Sequence, residues 1–148
     1  MKCSTQIYLE LNFAIVHTLP DICVRVDNEV IVSGPQRHKL GLDIDLELEP
    51  GMHRLWVHFL NKNYKESTPT SDMAVIIDRV LFQHLDHDFK IYSRYCPNYP
   101  QPWLSQQTQP LETEIHGNYL GWSGQWYLEF ETPIYRWIHQ RLNLGWLL

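Results

Sequence analysis

Residues 40–59 read LGLDIDLELEPGMHRLWVHF, and the fold turns on how this stretch is paired. Leu40, Leu42, Ile44, Leu46 and Leu48 alternate with Gly41, Asp43, Asp45, Glu47 and Glu49. Successive strand side chains point to opposite faces, so this period of two makes one apolar face and one acidic face. After Pro50-Gly51 the alternation resumes. Closing the stretch as a hairpin sets Leu46 opposite Leu55, Ile44 opposite Val57 and Leu42 opposite Phe59 on the apolar face. It sets Glu47 opposite Arg54 and Asp43 opposite His58 on the other. The two faces agree on one register, which predicts a β-hairpin. L-Pro-Gly does not suit a two-residue hairpin loop, so a four-residue loop over Glu49 to Met52 is expected. The ladder Asp43, Asp45, Glu47 reads as a solvated strand face balanced by Arg54 and His58.

The same period extends outward in both directions. Ile7 to His17 carries Ile7, Leu9, Leu11, Phe13 and Ile15 on one face, a first strand. Ile22, Val24 and Val26 lie on one face and Val30 and Val32 continue it, with a three-residue turn Asp27-Asn28-Glu29 pairing Val26 with Val30 and Val24 with Val32. Met73 to Gln83 is a strand apolar on both faces (Val75 and Ile77; Ile76 and Val80), hence central or covered. Residues 95–117 hold Pro97, Pro100, Pro102 and Pro110 and read as a loop or arm over the body, with Trp103 as its anchor. Trp126, Leu128 and Phe130 alternate with Tyr127, Glu129 and Glu131 in a last strand. Thr132 then caps a short helix, Pro133 opens it, and Ile134, Trp137, Ile138 and Leu142 form its apolar side. Gly145 stops it before an apolar tail, Trp146-Leu147-Leu148. Short strands, tight turns and no βαβ rhythm give a fold class: a single all-β antiparallel β-sandwich domain over 1–148, jelly-roll-like, with one short C-terminal helix plus an apolar tail at 133–148.

Composition narrows the function classes. The chain has 148 residues, 44% hydrophobic and 20% charged, which suits one globular core. A net charge of −5 with no Lys/Arg cluster argues against nucleic acid as a partner. No apolar run approaches the roughly 20 residues of a membrane helix, so no membrane partner is expected. Three cysteines, Cys3, Cys23 and Cys96, have no paired spacing. The start, MKCSTQIYLELNF, lacks the apolar core of a signal peptide, so synthesis in a reducing cytoplasm is expected. No nucleophile elbow, HExxH or phosphate-binding glycine loop occurs, and pairs such as Asp43 and Asp45 lie on a strand face. The reading is therefore non-catalytic.

Three clusters stand out. Asn61 to Asp72 is a long polar loop between two good strands. His84-Leu85-Asp86-His87-Asp88 is the densest run of potential metal ligands, and a polar strand end reads better than a metal site. In Tyr119-Leu120-Gly121-Trp122-Ser123-Gly124, two glycines permit a sharp turn with Trp122 at its tip, beside Tyr119.

The segment from about Asp21 to Leu81 resembles the calcium-dependent, xylan-binding type of carbohydrate-binding module, a jelly roll. The shared pattern is the hairpin VRVDNEVIVSG, the alternating strand, EPGMHRLWVHFLN, a polar loop with Asn61, Tyr64 and Asp72, and a strand carrying Asp78 in VIIDRV. The resemblance implies a binding module that recognises a glycan or a partner surface. It implies a calcium ion as cofactor, held by Asn61 and Asp72 with Glu66 available in the loop. Two departures bear on the metal: Lys62 and Lys65 stand where acidic residues would help, and Met73-Ala74 follow Asp72. Tyr64, Trp103, Tyr119 and Trp122 are the candidate ligand-binding aromatics. The alternative reading is a structural or assembly protein, such as a phage virion component for capsid decoration or tail, incorporated into a virion after cytoplasmic synthesis. There the tail Trp146, Leu147 and Leu148 would be the partner interface, making a homo- or hetero-oligomer.

Overall fold

The computed structural model describes residues 1–142; Trp146, Leu147 and Leu148 of the expected interface lie outside the described residues. Nine strands build two antiparallel sheets: β1 (Cys3–Ala14), β2 (Asp21–Val26), β3 (Glu29–Pro35), β4 (Leu40–Leu48), β5 (Gly51–Phe59), β6 (Ala74–Phe82), β7 (Arg94–Pro97), β8 (Tyr119–Leu120) and β9 (Gly124–Thr132). One helix follows, α1 (Ile134–Leu142). The first sheet runs β4-β1-β6-β8 and the second β3-β2-β5-β9-β7. From β3 onward every connection crosses from one sheet to the other. The fold is an all-β sandwich with a short C-terminal helix.

The expected hairpin of residues 40–59 does not form. β4 pairs with β1, with Ile44 opposite Ile7, while β5 pairs with β2 and β9, with Val57 between Val24 and Trp126. Pro50-Gly51 is a corner between sheets. Proline sets its own φ, Gly51 takes φ +129°, and unprimed Pro-Gly turns splay the strands they join. The inward faces were nevertheless read correctly. Ile44, Leu55, Val57 and Phe59 are buried, meeting across the core from opposite sheets. The outer partners differ too: Arg54 pairs with Glu129 on β9, and His58 accepts from Arg25 Nε at 2.9 Å. Asp43, Asp45 and Glu47 stand exposed on the edge strand of the other sheet.

Local register shows three more departures. The β2–β3 hairpin turns on Asp27 and Asn28, with Asp27 at φ +51° and Val26 opposite Glu29. A bulge after Val24 keeps Val24 opposite Val32 but puts Val30 opposite Arg25, exposed. The β1–β6 ladder shifts where Glu10 faces Arg79 and Leu11 faces Ile77, leaving Asp78 as the extra residue. That bulge changes the phase of β6, so Val75, Ile77, Val80 and Phe82 all face inward. The strand is thus apolar on one face with a phase change. Thr132 does not cap α1; its hydroxyl donates to the Glu49 carbonyl at 2.7 Å and ties the end of β9 to the corner.

The core is one contiguous cluster that includes Trp126, Leu128 and Phe130 of β9. α1 buries Ile134, Trp137 and Ile138, the side its sequence pattern marks. The 95–117 segment begins as a strand, because β7 pairs with β9 and Tyr95 bridges to Ile115. At Gly124 the β7 backbone comes so close that a Cβ would overlap the Cys96 carbonyl oxygen. Gly124→Ala is therefore expected to part β7 from β9 and lower the melting temperature by several degrees, measurable by circular dichroism.

Candidate ligand-binding cleft

At one end of the sandwich, the loop after β5 and the loops around β8 enclose a cleft of about 500 Å³. Its lining includes Lys62, Tyr64, Asp72, Trp103, Tyr119 and Trp122. All four aromatics singled out from sequence thus share one cleft. Trp122 is their hub: its ring centroid lies 4.3 Å from Trp103, 5.9 Å from Tyr99 and 6.1 Å from Tyr64. Tyr99 stacks on Trp103 at 5.7 Å. Trp122 is not a free tip. The hydroxyl of Tyr95, a buried residue of the cleft lining, donates to the Trp122 carbonyl at 2.5 Å and accepts from its N–H at 3.0 Å. Burial drives the Tyr95 phenol well above its ordinary value, so it remains a neutral clamp.

Two short connections position the walls. Asn63 caps a 3₁₀ turn at Tyr64–Glu66 by accepting from Lys65 N, which turns the Tyr64 ring into the cleft. The arm contributes Trp103 at the start of a second 3₁₀ turn, Leu104–Gln106. Among the described residues, the hydrogen bonds from Tyr99 to Glu112 stay within the arm, for example Tyr99 Oη to the Glu112 carbonyl at 2.7 Å. Tilted and edge-on contacts of Trp103 and Tyr99 with the Trp122 ring hold it to the body.

The polar floor is built on Lys62. Its side chain is 4% exposed, and its ammonium donates to Asp72 Oδ1 at 2.6 Å, the Met73 carbonyl at 2.6 Å and Ser67 Oγ at 3.1 Å. Asp72 accepts further bonds from Ser67 Oγ at 2.5 Å, Met73 N at 2.9 Å and the Tyr119 hydroxyl. Burial by itself would raise the Asp72 carboxyl, but hydrogen bonds from Lys62, Ser67 and Tyr119 bring it down to about 2. The same contact works in reverse on Tyr119, where burial and the neighbouring carboxylate raise the phenol to about 12.

The three residues expected to hold calcium do not converge. Asn61 accepts from Asp21 N at 2.7 Å and donates to the Leu19 carbonyl at 3.0 Å. Glu66 accepts from Thr18 N and Thr18 Oγ1, each at 2.8 Å, and from His17 N at 3.2 Å. Both thus fasten the β1–β2 connection, while Asp72 faces Lys62. The 84–88 cluster is likewise divided. His84 is exposed at φ +58°, Asp86 reaches Arg79 at 3.8 Å, His87 packs on Phe89, and Asp88 caps Lys90 N at 3.1 Å. Among the described residues no group of three His, Cys, Asp or Glu side chains is placed to hold a metal.

Sequence reasoning missed Tyr95, Tyr99 and Ser67, and it counted Lys62 only as a charge opposing a cation. The signal for Tyr99 was present in the arm's YCPNYPQPW, where prolines hold aromatics on a stiff loop. Tyr95 and Ser67 carried none, because their roles depend on partners distant in sequence. Comparison with protein-family models, with curated proteins and with solved structures gives no match to this chain.

Proposed function

We propose that this protein is a non-catalytic binding module whose cleft takes a glycan. The observation that carries the reading is the gathering of Tyr64, Tyr99, Trp103, Tyr119 and Trp122 around a single open cleft. Aromatic faces stack on the C–H faces of sugar rings, and a preformed cluster supplies contact area at little entropic cost. Support for the non-catalytic part comes from the lining. Among the described residues its single carboxylate, Asp72, is saturated with donors, whereas glycoside hydrolysis uses two carboxyl groups with opposed roles.

The test is an oligosaccharide array of xylo-, cello-, manno- and chito-oligosaccharides, followed by titration of any hit. Trp122→Ala is expected to weaken binding tenfold or more, about 1.4 kcal/mol. The sandwich should persist, because Tyr95 grips only the backbone of residue 122, while the arm loses the Trp122 ring that Trp103 and Tyr99 pack against. Unchanged affinity in a folded Trp122→Ala variant would remove the cleft from consideration.

A further inference from the structure

The resemblance noted above implies a divalent cation at the loop after β5, and the geometry there points to a different occupant. We infer that the Lys62 ammonium is the resident cation of this loop and that the cleft binds its ligand without a metal. Three observations support this. First, Lys62 Nζ has three N–H donors, and three oxygens accept them: a carboxylate, a hydroxyl and a carbonyl. These are the ligand types a calcium ion would draw from such a loop. Second, the ammonium is buried against the carboxylate that a metal would need. A divalent ion beside Asp72 would meet a fixed positive charge, and every Asp72 oxygen already accepts a donor. Third, the other two implied ligands, Asn61 and Glu66, serve the β1–β2 connection.

The substitution also sets the chemistry of the ligand. Lys62 and Asp72 neutralise one another within the floor, and among the described residues the lining holds no second lysine, arginine or carboxylate. Among the described residues no charged side chain of the cleft is left to pair with an anion or a cation. A cleft of aromatic faces over a self-satisfied ion pair suits an uncharged ring. This ligand class rests on the glycan reading above; the role of Lys62 does not.

The experiment keeps the two apart. The full chain is melted in EDTA and in millimolar calcium, and titrated with calcium chloride in a calorimeter. The two melts are expected to coincide within about 1 °C, with no binding heat. An ion held at about 100 times its dissociation constant would raise the melt by on the order of 5–10 °C, which would overturn the assignment. Lys62→Met keeps the length of the side chain and removes the charge. It is expected to melt several degrees lower with or without calcium, and a melt equal to that of the parent chain would also overturn it. If the variant fails to fold, the calcium arm on the unaltered protein still decides. In parallel, an array of neutral, uronate-containing and sulfated oligosaccharides is probed in EDTA at low and high salt. Neutral sugars should bind with little salt dependence. Binding confined to the acidic sugars would refute the uncharged-ligand claim, and no binding to any sugar would refute the glycan reading while leaving the calcium result standing.

Discussion

Phe82→Ala should cost about 3–5 kcal/mol, a fall in melting temperature of roughly 10–20 °C. Phe82 is fully buried at the end of β6, where four elements meet. Its ring is edge-on to Phe89 at 5.3 Å and Trp137 at 5.3 Å, and tilted against Phe130 at 5.2 Å. Phe130 belongs to the opposite sheet, Phe89 to the 3₁₀ turn after β6, and Trp137 to α1. Removing the ring leaves a cavity that three rigid aromatics cannot close. Chemical denaturation followed by near-ultraviolet circular dichroism measures the loss. A cost below 1 kcal/mol would mean that the helix and turn dock through other contacts.

Asp72→Ala should remove about 2–3 kcal/mol at neutral pH. Breaking a buried pair by deleting one partner typically costs 3–5 kcal/mol, because the remaining charge is stranded. The figure is smaller here because the Asp72 side chain is 34% exposed and Lys62 keeps Ser67 and the Met73 carbonyl. The same pair predicts an acid limb. The Asp72 carboxyl titrates at about 2 in the fold against an ordinary 3.8. A carboxyl depressed by folding contributes stability that is complete above its unfolded value and disappears as pH falls through the folded value. The parent chain should therefore lose this contribution between about pH 4 and pH 2, and the Asp72→Ala variant should not. Melts across that range, compared at equal ionic strength, separate the two. Parallel acid limbs would place the pH dependence on other carboxyls.

Faces were legible in the sequence where pairings were not. Leu42 to Leu48 and Leu55 to Phe59 announce their inward sides because period two records burial residue by residue. It does not record which strand accepts the hydrogen bonds. A hairpin and a sheet-to-sheet corner present the same alternation, and only the Pro-Gly geometry at the junction separates them. Bulges at Val24 and Asp78 escaped for a related reason: an added residue changes phase without changing composition. In the cleft, Trp122, Trp103, Tyr64 and Tyr119 could be named because large aromatics in polar, glycine- or proline-rich loops lack an obvious core. Their convergence could not be read, since it depends on crossings that bring residue 64 beside residue 122. Lys62 was visible as a departure from the resembled pattern, and its partners make that departure intelligible.

The corner at Pro50-Gly51 also bears on how the chain reaches this state. With β4 and β5 sent to different sheets, the β2–β3 hairpin is, among the described residues, the one ladder joining strands consecutive in the chain. Every other ladder joins distant segments, and β5 lacks its second neighbour until residues 124–132 arrive. Topologies dominated by such pairings fold slowly, in milliseconds to seconds rather than microseconds, because loop closure must precede the contacts that reward it. During that interval β5, with Leu55, Val57 and Phe59 on one side, presents an open edge to any other chain nearby. A proline and a glycine at one corner thus make assembly of the sandwich a late, all-at-once event, and make crowding during refolding its point of vulnerability.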